Sequence, residues 1–221
     1  PNFDRIMHEG PSAQLITHGP DAGLPSGQMG NSEVGHTNIG AGRVVAMDLG
    51  QIDLAIEDGS YFQAEALVAF IDTLKSNGGT AQVMGLLSDG GVHGMLSHLI
   101  ASITHIAEAG VPVALHLITD GRDVAPSSAL GYLETLESVL PKGSTITTVC
   151  GRYYALDRDN RWERVSTAFD AMVNAKGEVQ ANAKATIDAA YAKDITDEFI
   201  PATVINGYTG AKDGDGLFCL N

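Results

Sequence analysis

Three apolar, β-branched runs alternate with helical patterns in the middle of the chain, and this alternation restricts the fold more than any other feature. The runs cover residues 81–87, 111–118 and 144–150. Such short apolar runs are typical of strands that are buried on both faces of a sheet. Helical patterns over 95–108 and 128–140 separate them, and another covers 160–174. The order βαβαβ predicts an α/β fold, with a mostly parallel sheet flanked by helices.

The region before the first run is less regular. Residues 2–10 predict a short helix and residues 13–17 a strand. A glycine-rich segment follows over residues 19–42, and a capping-box pattern at Ser60 predicts a helix that extends to about Lys75.

Composition excludes several classes of protein. The 13 Lys+Arg against 27 Asp+Glu give a net charge of -14, which argues against a nucleic-acid-binding protein. No apolar run approaches the roughly 20 residues that span a bilayer, and residues 1–5 lack signal-peptide features. We therefore expect a cytoplasmic protein without a membrane partner. Cys150 and Cys219 lie far apart in apolar runs and are expected to be buried, reduced thiols.

Arginine is concentrated in one part of this acidic chain. Of seven arginines, five fall within residues 122–164: Arg122, Arg152, Arg158, Arg161 and Arg164. The guanidinium group binds phosphate and carboxylate bidentately, so the cluster indicates a small anionic ligand. Surface ion pairs with Asp157, Asp159 and Glu163 explain the cluster equally well.

Each predicted strand leads directly into a polar, glycine-containing loop. The loops cover residues 88–93, 119–123 and 151–159. Ligands of open α/β sheets bind beyond the carboxyl ends of the strands, so the three loops are expected to face one crevice. The candidates to surround an anion there are His93, Arg122, Asp123, Arg152 and Arg158. Taken singly, His93 could be a turn or cap residue, Asp123 a cap or Asx-turn residue, and Arg158 an ion-pair partner of Asp157 or Asp159.

The glycine-rich segment contains one candidate nucleophile. Ser32, between Gly30 and Gly35, is expected to begin a helix, where backbone N–H groups would stabilise an anion or alkoxide. On the residues alone, a helix N-cap is the favoured interpretation. The segment matches neither a Walker A loop nor G-x-S-x-G. His36 could be a general base or a metal ligand, although a structural role is favoured.

Taken in order, the motifs resemble the cofactor-independent (2,3-bisphosphoglycerate-independent) phosphoglycerate mutase family, within the alkaline phosphatase superfamily. The matching stretches are residues 24–43, 86–93, 120–124, 151–164 and 213–216. The resemblance implies interconversion of 3-phosphoglycerate and 2-phosphoglycerate in glycolysis and gluconeogenesis. It also implies a phosphoserine intermediate and two Mn²⁺ ions.

The resemblance assigns roles to particular residues. Ser32 matches the nucleophile, which is also a metal ligand. The stretches that match the substrate-binding residues contain His93, Arg122, Asp123, Arg152 and Arg158. Asp123 is the candidate proton donor and acceptor, and the arginines would hold phosphate and carboxylate.

The resemblance further implies a chain that is a fragment. Residues 1–46 would be part of an alkaline-phosphatase-like α/β domain, and residues 47–221 a C-terminally incomplete phosphotransferase domain. The remaining metal ligands would lie outside this chain, so we expect the fragment alone to be inactive and monomeric. A stand-alone module that binds a phosphorylated ligand, and a phosphate-ester hydrolase, remain the alternatives.

Overall fold

Six strands form one sheet in the part of the chain that the structure, a computed structural model, describes: residues 2–25, 27–205 and 207–220. Ser26, in the glycine-rich segment, lies outside these residues. The strands are β1 (Ala81–Leu86), β2 (Val113–Thr119), β3 (Ser144–Gly151), β4 (Glu178–Gln180), β5 (Thr203–Ile205) and β6 (Gly216–Leu220). Their order is β4-β5-β3-β2-β1-β6, and every neighbouring pair is parallel except β3 and β5. The predicted α/β fold with a mostly parallel sheet is therefore confirmed.

The helices follow the predicted pattern in the middle of the chain. They are α1 (Asn2–Glu9), α2 (Ser32–Ala41), α3 (Asp48–Asp58), α4 (Glu65–Asn77), α5 (Leu96–Glu108), α6 (Ala129–Ser138), α7 (Arg152–Ala155), α8 (Trp162–Asn174) and α9 (Ala183–Tyr191). The helix predicted from Ser60 begins instead as a 3-10 turn over Ser60–Gln63, and α4 starts at Glu65. Loops over residues 87–95 and 120–128 connect β1 to α5 and β2 to α6.

The sheet is covered on both faces, as a parallel sheet requires. Ile103 of α5, Leu136 of α6 and Ile187 of α9 are fully buried in the main core with β1 and β2. Ala168 and Ala171 of α8 belong to a second, smaller cluster with Cys150 of β3 and Val204 of β5. Val204 and Ile205 are successive residues of β5, so their side chains point to opposite faces of the sheet. Val204 belongs to the smaller cluster and Ile205 to the main core. Helix α8 therefore lies on the face opposite α5, α6 and α9.

Two sequence expectations about single segments are wrong. Residues 13–17 form no strand, and Leu15 is 83% exposed. Among the described residues no other strand pairs with this segment, and a strand without a hydrogen-bonded neighbour is not stable in water. Cys219 is exposed because β6 is the edge strand and turns alternate residues away from the core, whereas Cys150 is buried as expected.

The chain divides into two compact units, Pro1–Gln51 and Ile52–Asn221. The first unit has a small cluster of buried residues, Ala22, Leu24 and Val34, against which Met47 packs. The assignment of residues 1–46 to a phosphatase-like domain and of 47–221 to a phosphotransferase domain stays a prediction. No helix within the described ranges is long and apolar enough to span a bilayer.

A buried histidine in β2 makes the stability of the sheet dependent on pH. His116 is 2% exposed and lies between the side chains of Thr148 and Gln82, each 2.9 Å from a ring nitrogen. Burial lowers its pKa from 6.5 to about 4. The unfolded chain therefore binds a proton near pH 6.5, while the folded chain stays neutral until about pH 4.

We expect the free energy of unfolding to fall by about 3 kcal/mol between pH 7 and pH 4 because of His116 alone. Urea unfolding at several pH values measures this slope, and the variant His116→Asn is expected to reduce it. The matched control is His105→Asn, in the half-buried last turn of α5. An unchanged slope in His116→Asn would show that His116 is not the titrating group.

Candidate active site

A polar cavity of about 320 Å³ lies beyond the carboxyl ends of β2 and β3. Its walls come from the loops after β1, β2 and β3, from the first turns of α7 and α8, and from the 3-10 helix Asp197–Phe199. The lining residues are His93, Arg122, Arg152, Tyr153, Leu156, Asp157, Arg158, Asp159, Arg164, Glu198 and Phe199. The cavity thus collects four arginines from a chain with net charge -14.

The structure brings together four of the five residues that were predicted to surround an anion at the ends of the strands. His93, Arg122, Arg152 and Arg158 line the cavity directly. Asp123 does not line it, but its carboxylate accepts a hydrogen bond from Arg152. Parallel strands that end at one edge explain this meeting of residues far apart in sequence.

Arg152 is fixed by two carboxylates. Its Nη1 donates to Asp120 Oδ1 at 2.6 Å and to Asp123 Oδ2 at 2.5 Å, and its side chain is only 8% exposed. Burial alone would lower the pKa of the guanidinium, but the two carboxylates raise it above its ordinary value. Both contacts use the same nitrogen, so neither carboxylate occupies Nη2. Arg152 can therefore offer a rigid, permanently charged donor to an anion.

Asp120 organises the loop after β2. Its side chain is 1% exposed, and it accepts hydrogen bonds from Ser88 Oγ at 2.7 Å and from the backbone N–H groups of Arg122 and Asp123 at 3.1 Å. Burial raises the pKa of Asp120, but these donors and Arg152 lower it below its ordinary value. The Asx-turn that sequence reasoning considered for Asp123 is thus made by Asp120.

A second carboxylate holds the loop that contains His93. The Tyr132 hydroxyl of α6 donates to Asp89, and Ser88 in the same loop binds Asp120. Burial and the neighbouring Asp89 raise the pKa of Tyr132 to about 12, so the phenol keeps its proton and remains a donor. The His93 loop is therefore anchored on two sides.

Arg164 and Asp157 form one wall of the cavity. Arg164 Nη1 is 3.1 Å from Asp157 Oδ1, and its guanidinium carbon lies 3.8 Å from the centre of the Tyr153 ring. Asp157 also accepts hydrogen bonds from the backbone N–H groups of Asp159 and Arg161. The ion-pair explanation of the arginine cluster is thus correct for Arg164, and the Asp157 carboxylate also holds the 157–161 turn.

Arg158 and Arg122 are the exposed cations of the cavity. Within the described part of the chain, Arg158 forms no ion pair, so the suggested pairing with Asp157 or Asp159 is wrong. Arg122 contacts Glu198 Oε1 at 3.4 Å. A small anion can therefore reach both guanidinium groups, and the geometry fits phosphate or carboxylate binding.

Sequence reasoning did not find Tyr153 and Glu198 as lining residues. Tyr153 stood beside Arg152 in the third loop and could have been included. Glu198 lies in a short 3-10 helix after α9, where no strand-to-loop pattern points to a site.

Ser32 belongs to the first compact unit and is the first residue of α2. The helix N-cap is Asn31, whose side chain accepts a hydrogen bond from the Val34 N–H at 3.0 Å, so the interpretation of Ser32 as the cap is wrong. The exposed Ser32 hydroxyl lies 3.2 Å from His36 Nδ1, one turn along the helix. Its oxygen is therefore not used in capping.

The described residues of this chain do not form a metal centre by themselves. Across residues 2–25, 27–205 and 207–220, no group of three or more His, Cys, Asp or Glu side chains is arranged to hold an ion. Ser32 and His36 are neighbours, but two such side chains do not make a site.

Comparisons with known proteins agree with one another. The family model described as "BPG-independent PGAM N-terminus" matches residues 52–221. The 2,3-bisphosphoglycerate-independent phosphoglycerate mutases of Ruegeria pomeroyi and Dinoroseobacter shibae are each 66% identical over 221 residues. The alignment covers all of this chain but 44% of each relative, so the chain spans less than half their length.

A solved structure gives the same result for the fold. The crystal structure of Leishmania mexicana phosphoglycerate mutase at low cobalt concentration superposes with a TM-score of 0.83 and 32% identity, covering 93% of this chain and 40% of that one. Since the family model covers most of the chain, the chain belongs to the BPG-independent phosphoglycerate mutase N-terminus family.

Proposed function

We propose that this chain is part of an enzyme that interconverts 3-phosphoglycerate and 2-phosphoglycerate in glycolysis and gluconeogenesis. The names of its relatives support this activity. The observation that carries the proposal is the cavity in which His93, Arg122, Arg152 and Arg158 converge from three separate loops. A phosphorylated three-carbon acid has two anionic groups, and the exposed Arg122 and Arg158 can each take one.

The proposed chemistry is transfer of the phosphoryl group to Ser32 and back. When the group leaves one glycerate oxygen for the serine, the Asp123 carboxylate passes the Ser32 hydroxyl proton to that oxygen. Asp123 then takes the proton of the other hydroxyl as that hydroxyl attacks the phosphoserine, and returns it to the departing Ser32 oxygen. Arg152 holds the Asp123 carboxylate in a fixed position for both transfers. Because Ser32 and Asp123 belong to different compact units, the proposal requires the two units to meet in the full-length protein.

The cofactor and the cellular setting are further parts of this proposal. Two Mn²⁺ ions are expected in the full-length enzyme; the related Leishmania structure is described at low cobalt concentration. No step above is assigned to a metal, because the described residues of this chain do not supply a ligand cluster. We also expect a cytoplasmic, monomeric enzyme that binds neither nucleic acid nor membrane.

The proposed activity is tested with the full-length protein. Phosphorus NMR of a 3-phosphoglycerate solution with added divalent metal should show 2-phosphoglycerate and no accumulation of free phosphate. Accumulating phosphate would favour the hydrolase alternative. The present chain alone is expected to bind 3-phosphoglycerate without turnover. If the full-length protein also binds 3-phosphoglycerate without turnover, the binding-module alternative is favoured.

We expect Arg158→Lys to weaken binding of 3-phosphoglycerate to this chain by about tenfold, because an ammonium group cannot reproduce a bidentate contact. Isothermal titration calorimetry measures the change. Arg161→Lys is the matched control: Arg161 lies three residues away, is exposed and does not line the cavity. Equal affinities for the two variants would show that Arg158 is not a ligand-binding residue.

A further inference from the structure

Glu198 lines the cavity together with Asp157 and Asp159, and it is the carboxylate that contacts the exposed Arg122. It lies in the 3-10 helix Asp197–Phe199, and its Oε1 is 3.4 Å from Arg122 Nη1. The Glu198 side chain is 20% exposed and that of Arg122 is 55% exposed. Because a carboxylate repels an anionic ligand, the Glu198 charge is expected to weaken ligand binding in this cavity.

The backbone beneath Glu198 is held rigidly. The Asp197 carboxylate accepts hydrogen bonds from the N–H groups of Ser128 and Ala129 at 2.8 and 2.9 Å and from the Tyr191 hydroxyl at 2.5 Å. The Asp197 carbonyl accepts another from Thr119 Oγ1 at 2.7 Å. Asp197 itself is 1% exposed. Glu198 therefore projects from a fixed point rather than from a loose loop.

Two glycines bring the arginine-containing loops close to that point. A Cβ on Gly121, next to Arg122, would lie 2.9 Å from the Glu198 backbone nitrogen. A Cβ on Gly151, next to Arg152, would lie 2.3 Å from the Glu198 carbonyl oxygen. Any larger residue at either position would push the segment away. The sequence thus allows Glu198 to stand close to both arginine-containing loops.

Two of the four cavity arginines are already paired with other carboxylates. Arg152 is bound by Asp120 and Asp123, and Arg164 is bound by Asp157. Arg122 and Arg158 are the exposed cations, and Glu198 contacts the first of them. The ligand-free cavity thus has one arginine that carries a replaceable counter-ion.

We propose that Glu198 is a built-in counter-ion of Arg122, which an incoming phosphate or carboxylate must displace, and that it sets the affinity and charge selectivity of the cavity. The inference rests on the proposed function in taking a phosphorylated acid as ligand. After displacement, the Glu198 charge remains beside the bound anion. Each additional negative charge on the ligand therefore costs more, and the cavity favours singly over doubly phosphorylated acids.

Calorimetric titration of this chain and of Glu198→Gln tests the proposal, with sulfate, 3-phosphoglycerate and 2,3-bisphosphoglycerate as ligands at low ionic strength. Glutamine keeps the shape and removes the charge. We expect Glu198→Gln to bind 3-phosphoglycerate about five- to tenfold more tightly, with a larger gain for the bisphosphorylated acid. Glu108→Gln, an exposed residue at the last turn of α5, is the charge-matched control and should change affinity by less than about twofold.

A second background isolates the role of Arg122. If Glu198 acts by occupying Arg122, the gain from Glu198→Gln should shrink markedly in an Arg122→Gln chain. Equal or weaker binding by Glu198→Gln, an undiminished gain without Arg122, or no anion binding by either protein would each overturn the proposal. Binding of sulfate but not of 3-phosphoglycerate would instead count against the proposed function, while the sulfate affinities still test Glu198.

Discussion

Replacing Ser32 with alanine in the full-length protein is expected to lower turnover of 3-phosphoglycerate by about 10³-fold or more, because no other atom replaces the attacking oxygen. Binding should be retained, since the arginines of the cavity belong to the other compact unit. Turnover is measured by phosphorus NMR and binding by calorimetry. The expected pattern is a loss in kcat with little change in Kd.

The control is Ser138→Ala, which removes an exposed serine hydroxyl at the end of α6. Its turnover should match that of the unmodified protein. Peptide mapping of the enzyme quenched during turnover adds a direct readout, because a phosphorylated peptide should contain Ser32. Turnover in Ser32→Ala within about tenfold of the unmodified enzyme would refute the assignment of the nucleophile.

The central α/β unit could be predicted because its strands and helices have strong local patterns. β2 is buried at all seven positions from Val113 to Thr119, which is why its run is apolar except at His116 and Thr119, whose side chains are hydrogen-bonded. The predicted helices end within two residues of the observed ones, and α5 and α6 end shortly before Gly110 and Pro141. Local composition thus determines both the element and its limits.

The short elements could not be predicted, for a physical reason. β4 (Glu178–Gln180) and β5 (Thr203–Ile205) have three residues each, too few to show a period, and their stability comes from pairing with neighbours. Tertiary contacts, rather than local preference, decide such segments.

The residues that line the cavity could also be predicted only in part. The rule for strand ends selected four lining residues, because it depends only on recognising β1, β2 and β3. Glu198 belongs to a segment about 45 residues further along the chain. That segment leads into β5, which was not predicted, so its position at the cavity could not be predicted either. The interpretation of Ser32 as the helix cap was also wrong, because Asn31 and Ser32 have similar capping preferences and only the backbone shows which of them is the cap.

Removing the cation of Arg152 is expected to destabilise the second compact unit strongly. In Arg152→Met, the 1%-exposed side chain of Asp120 and the carboxylate of Asp123 lose their shared partner. Breaking a buried ion pair from one side typically costs about 3–5 kcal/mol, because it leaves a buried charge without compensation. Urea unfolding at pH 7 should show a loss of this size, together with loss of 3-phosphoglycerate binding.

The pH dependence and a second substitution identify the cause of that loss. In the unmodified chain the pKa of Asp120 is below its ordinary value, so its contribution to stability is present above pH 3.8 and is lost as the pH falls through the native pKa. Without Arg152, burial favours the protonated acid, and the deficit should therefore be smaller at pH 4 than at pH 7. His116 titrates in both proteins and cancels in the difference. Arg152→Met/Asp120→Asn should recover part of the stability at pH 7, since it removes the stranded charge; an equal deficit at both pH values, or no recovery, would attribute the loss to packing instead.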